Sequence, residues 1–85
     1  MRILYTPAFV RQFGELPEIL QEEALVKIER FRRNAREPAL RVHKLQGSLR
    51  GRWSFRVNYR YCIVFCYDDS NTIALLAIGD HGVYG

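Results

Sequence analysis

His43–Tyr61, HKLQGSLRGRWSFRVNYRY, is the stretch on which the reading of this chain turns. Lys44, Arg50, Arg52, Arg56 and Arg60 are interleaved here with Trp53, Phe55, Val57, Tyr59 and Tyr61, and no acidic residue interrupts them. Side chains alternate between the two faces of a strand. A strand over Arg52–Val57 therefore sends Trp53, Phe55 and Val57 one way and Arg52, Ser54 and Arg56 the other. One face suits an apolar core, and the other suits an anion.

The rest of the composition frames that segment. Eighty-five residues, 48% hydrophobic and 26% charged, are expected to form a single folded domain spanning 1–85. The net charge of +4 hides a strong asymmetry. Between Arg30 and Arg60 the chain carries ten basic side chains and one acid, Glu37; elsewhere it carries three basic and eight acidic ones. Such segregation favours a polyanionic partner, either a phosphate backbone or an acidic protein that covers the same patch. The start of the chain has no signal-peptide pattern, and its longest apolar run, Ile73–Ile78, is far short of the ~20 residues of a membrane span. Cys62 and Cys66 are four residues apart on a strand-like run, about 13 Å if extended, beyond the reach of a disulfide. Reduced packing thiols and a cytoplasmic location are the expectation.

Working outward toward the N-terminus, Arg2–Thr6 reads as a short strand. Thr6-Pro7 offers an N-cap followed by proline at the first helical position, with Phe9, Val10 and Phe13 as the buried face and Gly14 as C-cap. A longer helix is expected from about Pro17 to Asn34, because Leu16, Ile19, Leu20, Ala24, Ile28 and Phe31 recur at three- and four-residue steps. Glu23–Lys27 and Glu29–Arg33 have the spacing of favourable intrahelical pairs, and acids at the start with arginines at the end suit the helix dipole. Glu37-Pro38 ends the helical pattern, and the segment up to Gly51 reads as irregular.

Toward the C-terminus, three runs follow as consecutive antiparallel strands: Arg52–Val57, Arg60 (or Tyr59) to Tyr67, and Thr72–Ile78. The last is apolar on both faces and reads as a central strand. Two registers are open for the first hairpin. A two-residue turn pairs Val57 with Arg60 and turns Arg60 toward the apolar face. A three-residue connection pairs Arg56 with Arg60, puts both on the charged face, and gathers Tyr61, Ile63, Phe65 and Tyr67 beside Trp53 and Phe55. The second is preferred, since it buries the larger apolar set.

The order strand, helix, helix, loop, three strands resembles the RelE/ParE toxin superfamily of bacterial toxin–antitoxin systems. The resemblance covers nearly the whole chain. Its most specific parts are RVHKLQGSLRGRWSFRVNYRY, similar to a His-x-Leu-x-Gly loop followed by a Trp-Ser-x-Arg-Val strand and a second arginine, and the ending LLAIGDHGVYG. The fold implied is α+β, with an N-terminal strand and two helices packed on an antiparallel sheet of about four strands.

The activity implied is that of a type II toxin that acts as a metal-independent, ribosome-dependent messenger RNA endoribonuclease and so inhibits translation. Cleavage by the 2′-hydroxyl needs a base, cations for a doubly negative phosphorane, and an acid for the departing 5′-oxygen. His81 matches a family position that acts at the scissile phosphate, and a histidine suits either proton-transfer role. Arg56 and Arg60 match the strand cations that fork onto phosphorane oxygens. Tyr84 matches an aromatic residue that stacks on or orients the nucleotide. His43 matches a loop histidine found in one branch of the family. Lys44, Arg50 and Arg52 are assigned to gripping RNA phosphates. No metal or cofactor is implied. The partners implied are a cognate antitoxin, the ribosome and messenger RNA, with promoter DNA reached only through the antitoxin, and no membrane. Two other readings compete: a ParE-like, non-enzymatic toxin that poisons DNA gyrase, and an inactive domain whose basic patch only binds an acidic antitoxin.

Overall fold

The computed structural model describes residues 1–47 and 51–80. In chain order they form β1 (Arg2–Tyr5), α1 (Pro7–Gly14), α2 (Glu18–Arg33), a 3-10 turn (Pro38–Leu40), β2 (His43–Lys44), β3 (Trp53–Arg56), β4 (Cys62–Asp69) and β5 (Thr72–Gly79). The strands make one sheet in the order β1-β5-β4-β3-β2.

This is the expected α+β arrangement with two differences. The sheet has five strands because His43 and Lys44, expected in a loop, pair with Ser54 and Trp53. It is also mixed, since β1 runs parallel to β5 while every other pairing is antiparallel. The Arg2 amide bonds to the Asn71 carbonyl in the β4–β5 turn, so β1 starts at the same end as β5 and must run alongside it.

Helix α1 begins as its sequence dictates. Thr6 Oγ1 accepts from the Phe9 amide and donates to the Leu75 carbonyl at 2.7 Å, which fastens the helix start to β5. Gln21 of α2 donates through Nε2 to the carbonyls of Phe13 and Leu16 and so covers the exposed end of α1. The apolar stripe of α2 is narrower than its spacing suggests: Ala24, Ile28 and Phe31 are buried, whereas Ile19 is 75% exposed.

Both helices lie on one face of the sheet. Phe9, Ala24, Ile28 and Phe31 join Leu40, Phe55, Val57, Ile63, Phe65, Ile73, Leu75 and Ile78 in a single core. Phe31 is its centre, stacked on Phe55 with ring centroids 4.6 Å apart and edge-on to Phe65 at 4.9 Å. The doubly apolar run of β5 has a local cause. Val64 pairs with Ala77 but Phe65 pairs with Leu75, so Leu76 is an extra, bulged residue. The bulge resets the alternation, and Ile78 rather than Ala77 follows Ile73 and Leu75 into the core.

The basic residues at the end of α2 are locally neutralised. Glu29 takes hydrogen bonds from both Arg32 and Arg33, and Arg30 pairs with Glu37 at 3.8 Å. The hydrogen-bonded Arg32 guanidinium, with Arg33 beside it, holds the Glu29 carboxyl below its ordinary range. In the β4–β5 turn, the Asn71 amide and then the Thr72 side chain lower the Asp69 carboxyl in the same way.

Candidate active site

The sheet face opposite the helices carries the other half of the β3 alternation. Ser54 is buried there and Arg56 is half-buried, while Trp53 and Phe55 face the helices. The pairing Phe55–Ile63 and Arg56–Cys62 gives this hairpin the expected facing. Its connection, however, is shifted by one residue. Val57 bonds to Tyr61, leaving Asn58, Tyr59 and Arg60 as the loop, so Arg60 is not opposite Arg56.

Asn58 sets that shift. Its Oδ1 accepts from the amides of Arg60 and Tyr61, both at 2.8 Å, and its Nδ2 donates to Glu23 Oε1 at 2.7 Å. Lys27 of the same helix donates to the Val57 carbonyl at 2.8 Å. Glu23 and Lys27, expected to pair within α2, instead reach out together and clamp the hairpin tip. Asn58→Ala removes three hydrogen bonds at once and should cost about 2 kcal/mol of stability, measurable by urea unfolding. Asn58→Asp should not rescue it, because the new carboxylate meets that of Glu23.

An open depression of about 590 Å³ lies against this hairpin. Arg41 and Val42 line it from the segment before β2, His43, Ser54 and Arg56 from β2 and β3, and Asn58, Tyr59, Arg60, Tyr61 and Cys62 from the loop and the start of β4. Among the described residues no carboxylate contributes to that lining, and Arg41, Arg56 and Arg60 are in no ion pair. The Arg60 guanidinium lies over the Tyr61 ring at 6.0 Å, a contact that leaves its N–H groups available to an anion.

His43 is held by a backbone feature that the sequence did not reveal. Arg41 adopts a left-handed conformation, with φ 49° and ψ 48°, and is the one described non-glycine residue with positive φ. Its carbonyl accepts a 2.8 Å hydrogen bond from His43 Nδ1. A carbonyl can only accept, so Nδ1 carries the proton and Nε2 of the neutral ring keeps the lone pair. A strained backbone next to a functional group is where conformational energy is commonly held. Arg41 was visible in the sequence only as one member of the basic band.

The remaining site residues divide. Lys44 faces away from His43, with Nζ 5.5 Å from the Trp53 ring on the helix side of the sheet. Arg52 is exposed just before β3 and is not part of the depression. Arg50, His81 and Tyr84 lie outside the described residues. Among the described residues no three His, Cys, Asp or Glu side chains gather as a metal site. Cys62 and Cys66 are free thiols. Among the described residues no helix is long and apolar enough to cross a membrane.

A family model of the RelE-like toxin of the type II toxin–antitoxin system HigB matches residues 18–81. The chain belongs to this toxin family. The match includes all of the depression, and the toxin's fold agrees with solved relatives. A YoeB/ParE toxin from Agrobacterium tumefaciens superposes with a TM-score of 0.77 at 16% identity, over 95% of this chain and 99% of the other. YoeB in the YoeB–YefM complex from Staphylococcus aureus gives 0.74 at 21% identity, over 95% and 97%. YafQ from E. coli gives 0.72 at 13% identity, over 99% and 98%. At these identities the likeness is one of fold. No curated protein sequence matches the toxin.

Proposed function

We propose that this toxin is a metal-independent endoribonuclease that cuts messenger RNA on the ribosome and thereby stops translation. The observation that carries the reading is a histidine of fixed tautomer beside arginines without counter-charge, in a depression with no carboxylate in its lining. His43 pairs with Ser54, and Arg56 is two residues further along the same face, about 7 Å away along β3.

In this mechanism His43 Nε2 takes the proton of the 2′-hydroxyl, and O2′ attacks the adjacent phosphorus. Arg56 and Arg60 fork onto the oxygens of the phosphorane. The P–O5′ bond breaks, His81 supplies a proton to the departing 5′-oxygen, and a 2′,3′-cyclic phosphate remains. Tyr84 packs against the nucleotide, and Arg50, Arg52 and Lys44 hold RNA phosphates away from the reacting atoms. The partner that silences the toxin is an acidic antitoxin laid over the basic face, in keeping with the YoeB–YefM assembly, and promoter DNA is reached only through it.

The test is expression of the toxin alone, with messenger RNA mapped by primer extension. Growth arrest with new 5′ ends inside coding regions is expected, and replacing His81 and Arg56 together should relieve both. Arrest with intact messenger RNA and accumulating double-strand breaks at gyrase would replace the nuclease reading with gyrase poisoning.

A further inference from the structure

Tyr59 stands out on the hairpin that borders the depression. Its side chain is 81% exposed, more than any other large apolar residue described. Every other described aromatic ring is in a ring pair or under a cation; Tyr59 alone has neither. Yet the loop that presents it is not slack. Asn58 and Arg60 on either side are tied by the Asn58 bonds, and Glu23 and Lys27 anchor that loop to α2. A rigid mount for a bare aromatic face is the arrangement that binds nucleobases, because little order has to be imposed when a base stacks on it.

We infer that Tyr59 is a base-stacking platform, holding the nucleobase next to the phosphate that Arg56 and Arg60 receive. The inference rests on the nuclease reading and adds to it a nucleobase-binding position at the hairpin tip. Stacking tolerates any base, since each offers a π-face, so Tyr59 contributes grip and register rather than base identity. Arg60 lies next to Tyr59 in the chain and lines the same depression, so base and phosphate of one nucleotide can be engaged together.

The experiment uses the full toxin on ribosomes programmed with a short messenger RNA, either intact or carrying an abasic nucleotide at one position of the codon in the A site. Tyr59→Phe keeps the ring and should cut at close to the wild-type rate. Tyr59→Leu should lower kcat/KM about ten-fold, while melting where the wild type does. With wild-type toxin, one abasic position should cause a similar ten-fold loss, and at that position Tyr59→Leu should cause no further loss. Wild-type cleavage rates in Tyr59→Leu, or losses that multiply at every abasic position, would overturn the platform while leaving the nuclease intact. Failure of wild-type toxin to cut the intact messenger RNA would instead remove the nuclease reading, and the platform with it.

Discussion

Arg56→Ala should lower the rate of messenger RNA cleavage by about two to three orders of magnitude with the fold unharmed. Arg56 stands half-buried on the face away from the core, and among the described residues no acid pairs with it. Its charge is therefore a cost to the folded protein and a benefit only when an anion arrives. Removing it should leave the unfolding midpoint unchanged or slightly raised, while single-turnover cleavage collapses. Arg56→Lys should recover only part of the rate, because an ammonium group cannot fork onto two phosphorane oxygens. Parallel loss of stability and activity in Arg56→Ala would mean that the side chain serves the fold rather than the reaction.

Phe31→Ala should have the largest effect on stability, about 4 kcal/mol. The ring is fully buried and packed against Phe55 and Phe65, so its removal leaves a large cavity at the centre of the core. A domain of this length holds roughly 4–13 kcal/mol in all, so the variant should melt about 20 °C lower or fail to fold. Phe31→Leu should restore most of the loss. Thermal unfolding followed by circular dichroism reads both. Activity should fall with stability here, since α2 carries the Glu23 and Lys27 that fix the hairpin of the site.

What could be read from the sequence was what depends on neighbours along the chain. The alternation Trp53, Phe55, Val57 against Ser54 and Arg56 is a property of one strand, and it is seen as written. The cap at Thr6 and the helical span to Arg33 are local in the same sense. The hairpin register was not legible, because Asn58 donates its third hydrogen bond to a helix residue 35 positions away. For the same reason spacing wrongly paired Glu23 with Lys27: a tertiary partner outbid the intrahelical one. The left-handed backbone at Arg41 follows from the closing of the 3-10 turn beneath it, where its amide bonds to the Pro38 carbonyl, and arginine gives no sign of it. The side on which Lys44 falls needed the β2–β3 pairing, which a two-residue strand does not announce.

The sheet order also constrains how this protein comes into being. Among the described strands, β1 and the strand that backs the hairpin, β4, both bond to β5, which follows them in the chain. The pairing of Arg2 with Thr72 therefore has to wait until β5 has been made, whereas β2, β3 and β4 can pair before it. A chain cut before Thr72 should therefore leave β1 without a strand partner and the start of the first helix without the Leu75 carbonyl that fastens it.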